Sequence, residues 1–251
     1  MDIATMPRGG FDATWLDRRL QTRRPEYLDR DDVDDRIKRQ VIRSLDLMGR
    51  VLRDHVHLAA VAGRELAGIP APRVLELGAG HGALSRALLE LHPGAHVTVT
   101  DIDPASVSAM AAGELGRHPR AVVRQMDATD LDAADGSYDL ALFALSFHHL
   151  TPEPAARVLA EGTRVADKLL ICDLHRPAAP VHLVRLASML PFALVLPFAH
   201  DGLISSMRSY SPTAFRALAA HADPDIAVEF GRLGRNQTVL ARRVPTPVES
   251  G

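Results

Sequence analysis

Residues 74–82 read VLELGAGHG, an apolar run that passes an acidic residue, Glu76, and enters a turn carrying Gly78, Gly80 and Gly82. Without a Cβ, a glycine takes positive φ and lets a ligand come close to the main chain. The run 83–90 (ALSRALLE) then reads as helix, so the order is strand, tight turn, helix. Asp101 closes a second alternating run, 96–100 (HVTVT), about twenty residues past the turn, where a carboxylate accepts hydrogen bonds from both hydroxyls of a ribose. A third run, 121–125, ends at Met126-Asp127-Ala128, a carboxylate and a backbone N–H placed to read an adenine edge. Gly78, Gly80 and Ala83 also satisfy the dinucleotide pattern G-x-G-x-x-G/A, so the turn by itself leaves a methyl donor and a nicotinamide both open. The ending of the third strand is more typical of methyl-donor sites.

The other chemistry-bearing residues are histidines, suited to moving protons near neutral pH. Of twelve, His148 and His149 follow directly on a fourth apolar strand, and His200 stands beside Asp201 after the apolar run 186–199. As a general base, any of the three takes a proton from a neutral hydroxyl acceptor. The plainer role of each is packing or loop hydrogen bonding, and adjacent side chains such as His200 and Asp201 seldom face each other. The lone cysteine, Cys172, sits in LLICDL and reads as a small buried hydrophobe.

The chain resembles the class I S-adenosylmethionine-dependent methyltransferases. The resemblance rests on Glu76, Gly78, Gly80 and Gly82 in the first motif, Asp101 after the second strand, Asp127-Ala128 after the third, and SYDLALFALSFHHL at 137–150. It implies S-adenosylmethionine as cofactor, with Glu76 and the turn Gly78, Ala79, Gly80 facing its methionine part and Asp101 with Ile102 its ribose. Asp127 and Ala128 then face the adenine, the strand bearing Phe143 the far side of the cofactor, and His148 and His149 the sulfur end. Tyr27 and the preceding arm fold over the pocket. Ala79 stands where many relatives have a cysteine or another small residue. A looser resemblance, of HDGLISSMRSYSPTAFRALAA at 200–220, is to bacterial small-molecule methyltransferases of polyketide, phenolic-lipid and quinone pathways.

These residues need a frame, and the sequence supplies its outline. Strands are expected at 73–77, 96–100, 121–125, 138–143 and 168–173, with a helix after each of the first four. A closing hairpin, 227–230 and 238–244, turns through GRLGRN. The expected fold is α/β, a Rossmann-like doubly wound sheet; the resemblance makes it seven-stranded with an antiparallel last strand. Asp103-Pro104, Thr151-Pro152 and Ser211-Pro212 each offer a cap followed by proline at the first helical position. Upstream, Val33, Ile37, Val41, Leu45, Met48 and Leu52 repeat at helical spacing behind Asp31, Asp32, Asp34 and Asp35, predicting helices over 32–67 that Gly49 divides. The organisation expected is an N-terminal arm with capping helices, 1–69, and a cofactor-binding domain, 70–251, with a helical lid at about 176–210.

Composition narrows the function. A chain of 251 residues, 47% hydrophobic, buries a substantial core. A net charge of -2 gives no basic field for nucleic acid. The single cysteine and a start without a basic head and apolar run are expected of a cytoplasmic protein, a monomer or homodimer. The apolar segment 186–199 is short and broken by Pro191 and Pro197, so no membrane span is expected. The lid's apolar residues favour a hydrophobic small molecule as partner, a dimer interface or core packing being the alternative. No Asn-Pro-Pro-Tyr or Asp-Pro-Pro-Tyr string follows the fourth strand, 143–147 holds no acid, and Asp173 alone is too little for magnesium, so no metal is expected. The function expected is O-methylation of a phenolic, polyketide or quinone-like acceptor. C- or N-methylation, an NAD(P)-dependent oxidoreductase and a non-catalytic S-adenosylmethionine-binding protein are the alternatives.

Overall fold

The computed structural model describes residues 2–30 and 32–244. Asp31 lies outside them, as do the side chains of Leu45, Met48 and Leu52. Strands β1 (Arg73–Leu77), β2 (His96–Asp101), β3 (Ala121–Gln125), β4 (Leu140–Ala144), β5 (Leu169–Leu174), β6 (Ile226–Leu233) and β7 (Asn236–Arg243) form one sheet in the order β3-β2-β1-β4-β5-β7-β6. The pairs from β3 to β5 are parallel, and β7 runs antiparallel to both neighbours. The order reverses between β1 and β4, which opens a crevice beyond their carboxyl ends. The expected Rossmann-like seven-stranded α/β fold is therefore what the chain adopts.

Central strands such as VLEL and LLICDL are apolar at successive positions because both faces of the sheet are covered. Leu75, Leu77, Ala141 and Phe143 face a core shared with α7 (Pro152–Val165) and α10 (Pro212–Ala222); Val74, Leu140, Leu142 and Leu170 face one shared with α3 (Asp54–Glu65) and α4 (Ala83–Leu91). Asp103 caps α5 (Pro104–Ala112) by accepting from the N–H groups of Ala105 and Ser106, and Ser211 caps α10 from Ala214. The short α6 (Glu114–Arg117) follows α5.

Several sequence expectations shift. No helix follows β3: residues 126–139 cross back to β4 through turns and a bridge between Asp127 and Asp130, their carbonyls at Leu131 and Ala133 held by the Arg164 guanidinium. Helix α2 (Asp35–Leu52) runs through Gly49, and the break comes at Arg53, in the left-handed region with φ 53°. The hairpin turns on Gly234-Arg235 alone, with Gly234 at φ +58°, a tighter connection than the expected GRLGRN loop. The arm is ordered: α1 (Trp15–Arg19) sits within it, and the Ser211 backbone N–H and hydroxyl donate to the carbonyls of Arg8 and Gly9. Beyond β5 the lid is two helices, α8 (Ala179–Ala193) and α9 (Pro197–Arg208), with Pro191 inside the first and Pro197 opening the second. No helix among the described residues is long and apolar enough to cross a membrane.

Candidate functional site

The glycine turn shows why three glycines are spaced as they are. Gly78, Gly80 and Gly82 all have φ between +56° and +70°. A Cβ on Gly78 would meet the Phe143 ring at 2.8 Å and one on Gly82 would meet Leu115 at 2.2 Å, so these two are also required by packing. A Cβ on Gly80 would meet nothing within 4 Å. That face of the turn is a cradle left open by the protein itself. The Ala79 N–H donates to the Thr100 carbonyl, fixing the turn to β2, and Asp101 accepts from the N–H groups of Gly80 at 2.7 Å and Asp103 at 2.9 Å.

Glu76 is buried beneath the turn and accepts a hydrogen bond from the Ser85 hydroxyl. Burial, reinforced by the charge of Asp101, pushes its carboxyl up to about 7 against the pull of Ser85 and Arg86. A carboxyl whose pKa is raised on folding favours the fold fully below its ordinary value of 4.5 and loses that contribution as pH rises through about 7. The melting temperature of the ligand-free protein is accordingly expected to fall between about pH 5 and about pH 8. Glu76→Gln should flatten that slope; an unchanged slope in thermal melts would show that another group sets it.

A cavity of about 1660 Å³ opens beside the turn. Gly80, His81 and Arg86 contribute to one part of its wall, Met189, Phe192, Leu196 and Phe198 of the lid to another, and Glu26, Asp29, His148 and His149 to a third. Leu145, also on the wall, is held at φ +55°, a conformation costly for a side chain with a Cβ and typical of sites under functional constraint.

His148 and His149 lie on the short helical turn Phe147–His149 that follows β4. Asp173 at the end of β5 accepts from the His148 backbone N–H at 2.6 Å and holds its Nδ1 at 2.7 Å. The far nitrogen, Nε2, faces Glu26 Oε1 at 3.4 Å. Burial alone would lower the His148 imidazolium, yet Asp173 and Glu26 outweigh it and hold the ring up at about 9. His149 Nδ1 lies 3.3 Å from Asp29, which the Arg208 guanidinium also engages at 3.0 Å. Burial pushes the Asp29 carboxyl up, but His149 and Arg208 together hold it well below the usual range.

The other expected residues are placed less centrally. His200 stacks on the Tyr27 ring at 4.0 Å and puts Nδ1 3.0 Å from Asp201, so the adjacent pair does face each other; neither Tyr27 nor His200 forms part of the cavity wall. Asp127 is exposed at the tip of β3, accepting from the Thr129 N–H and hydroxyl, with Ala128 half-buried beside it. Ile102 is exposed after β2. The reading of the sequence missed Glu26 and Asp29, whose charges look like solvated surface in EYLDR and are brought to the cavity only by the docked arm. It also missed Leu145, because backbone strain has no sequence signature in a leucine.

Comparison with known proteins agrees with this geometry. Residues 74–168 match the family described as a methyltransferase domain. Over 98 residues the chain is 35% identical to a malonyl-[acyl-carrier protein] O-methyltransferase of Geobacter sulfurreducens, a match covering 39% of this chain and 36% of that protein, so it spans about a third of the relative's length. Among solved structures, the plantazolicin methyltransferase BpumL in complex with SAH superposes with a TM-score of 0.65 at 12% identity, over 87% of this chain and 93% of that one. A SAM dependent methyltransferase from Aquifex aeolicus gives 0.53 at 18% identity, over 74% and 89%. The family match takes in the glycine turn, Asp101 and Asp127.

Proposed function

We propose that this chain, which matches the methyltransferase-domain family over residues 74–168, is a class I S-adenosylmethionine-dependent methyltransferase that carries a methyl group to an oxygen of an apolar small molecule. One observation carries the reading. A single cavity joins the open face of Gly80, the apolar side chains Met189, Phe192, Leu196 and Phe198, and the proton-handling groups Glu26, His148 and His149. S-adenosylmethionine supplies a methyl group already activated on a positive sulfur. The protein's share of the work is to align the acceptor, keep out water and, for a neutral hydroxyl, dispose of a proton.

Each residue has a part in that assignment. Gly80 leaves room at the turn, Gly78 and Ala79 shape it with Phe143 packed behind, and Glu76 sets the charge under it for the methionine end. Asp101 and Ile102 take the ribose; the carboxylate uses two of its roughly four acceptor positions on Gly80 and Asp103, so the hydroxyls still find room. Asp127 and Ala128 take the adenine. The lid gives the acceptor an apolar bed, and the hydroxyl is activated at the Glu26–His148–His149 edge rather than at His200, whose ring is occupied by Tyr27. That the curated relative is an O-methyltransferase supports an oxygen acceptor.

The test is turnover on a panel of apolar phenols and hydroxylated polyketides. His149→Ala is expected to lower kcat about 100-fold while leaving the affinity for S-adenosylhomocysteine within about twofold of the parent. Undiminished turnover in this variant would take the edge out of the reaction. Turnover on amines alone would replace the oxygen acceptor with a nitrogen one.

A further inference from the structure

We propose that Glu26, His148 and His149 bind one divalent transition-metal ion, which holds the acceptor's oxygen as its anion during methyl transfer. The ion's role rests on the function proposed above; the binding site does not.

Among the described residues this is where metal-capable side chains converge, with their donor atoms within 4.8 Å of one another. Nε2 of His148 is 3.4 Å from Glu26 Oε1 and Nε2 of His149 is 3.9 Å from Glu26 Oε2. Tetrahedral metal bonds of about 2.0–2.2 Å place neighbouring donors roughly 3.3–3.6 Å apart, so a contraction of no more than about 1.5 Å closes the set around an ion.

The stronger argument is what stands behind the two rings. His148 Nδ1 is held by Asp173 at 2.7 Å and His149 Nδ1 by Asp29 at 3.3 Å. A carboxylate on Nδ1 keeps the proton there and presents the Nε2 lone pair outward, which is how ligating histidines are oriented. Here the Nε2 atoms of both rings face the same carboxylate, Glu26. His148 Nε2 is buried, and Glu26 Oε1 at 3.4 Å does not complete a well-formed hydrogen bond to it, a state that buried polar atoms rarely keep without a reason. The outer groups are themselves pinned: Asp173 by the His148 backbone N–H, Asp29 by Arg208, and Glu26 by the Ser205 hydroxyl at 2.6 Å.

Charge leads to the same conclusion. Arg208 offsets Asp29, and Glu26 and Asp173 are two buried carboxylates on either side of the His148 ring. A 2+ ion takes the place of a proton between them, since a ligating imidazole nitrogen gives its proton up to the metal. Two imidazoles and one carboxylate suit zinc, iron, cobalt or nickel rather than magnesium or calcium, and three protein ligands leave coordination positions open to the cavity. There the acceptor's hydroxyl binds the ion and gives its proton to bulk water. The resulting oxygen attacks the methyl carbon as the carbon–sulfur bond breaks, the pair staying on sulfur, so charge and atoms balance. An acceptor with a second oxygen donor beside its hydroxyl fills two open positions and is the favoured substrate class. The expectation of no metal came from looking for acids at the ends of β4 and β5; Glu26 arrives from the arm.

The test uses the full chain, stripped with a chelator and titrated with Co²⁺, whose visible ligand-field bands report nitrogen and oxygen ligands. One Co²⁺ per chain is expected, weakened at least about 100-fold in His149→Ala and about 10-fold in Asp173→Asn, and unchanged in His221→Ala, an exposed residue of α10. Each variant is first shown to bind S-adenosylhomocysteine. Glu26→Gln is a further arm, but Glu26 is buried and its variant is set aside if it does not fold, leaving the half-exposed His149 to decide. No stoichiometric cobalt spectrum in the parent, or full binding in His149→Ala, overturns the inference. A protein that binds S-adenosylhomocysteine but no cobalt loses only the metal. One that binds cobalt at these residues but no S-adenosylhomocysteine keeps the site and loses the methyl-transfer reading.

Discussion

Arg176→Ala is expected to lower the melting temperature by roughly 10 °C, the consequence of losing about 3–5 kcal/mol in a chain of this size. The guanidinium is fully buried at the root of the lid. Its Nε and Nη2 engage Asp17 Oδ1 at 2.9 and 2.7 Å, Nη2 also donates to the carbonyls of Asp17 and Leu20, and Nη1 donates to that of Met207. One side chain thereby joins three segments: the end of α1, the last turn of α9, and the stretch leaving β5. Alanine leaves a carboxylate and three carbonyls short of donors, and the cost of a group left unpaired exceeds the worth of the pair. Lysine keeps the charge but not the planar fork, so Arg176→Lys should fall between the two. Melting followed by circular dichroism checks this; a drop of less than about 2 °C would show that the lid and arm are held by other contacts.

Gly80→Val should do the opposite, leaving the fold nearly intact and weakening S-adenosylhomocysteine about 100-fold, or about 2.7 kcal/mol. A valine there carries the strain of φ +56°, of order 1–2 kcal/mol, but strikes no protein atom. The space its side chain enters is the open face of the turn. At Gly78 and Gly82 the same change collides with Phe143 and Leu115, and both fold and binding should suffer. Calorimetric titration alongside thermal melts separates the cases. Parent-like affinity in a well-folded Gly80→Val protein would mean that the cofactor does not approach the turn.

Most of the frame was legible in the sequence because it depends on local rules. The strands at 73–77 and 121–125 are found as expected, and the caps at Asp103 and Ser211 are where Ser or Asp before proline should put them. The glycine turn was legible because positive φ restricts residue type so strongly. What escaped depends on contacts made across the chain. The crossing from β3 to β4 is LDAADGSYD, whose carbonyls are satisfied by Arg164 instead of by a helix. The break at Arg53 is a left-handed residue that nothing in its side chain announces, whereas Gly49, the obvious breaker, is tolerated inside α2. At the site, His148 and His149 could be located by their distance past β4, but their roles depend on Glu26 and Asp29, and no local pattern ties those to them.

The central claim is that the tips of β1, β2 and β3 bind the adenosyl cofactor at the glycine turn. Titrating S-adenosylhomocysteine into the full chain by calorimetry tests it most directly. The account predicts one site per chain, with Asp101→Ala weakening it about 5- to 150-fold, equivalent to about 1–3 kcal/mol for hydroxyls and N–H groups left without their carboxylate. No heat with either the product or S-adenosylmethionine, or an affinity untouched by Asp101→Ala, would contradict it.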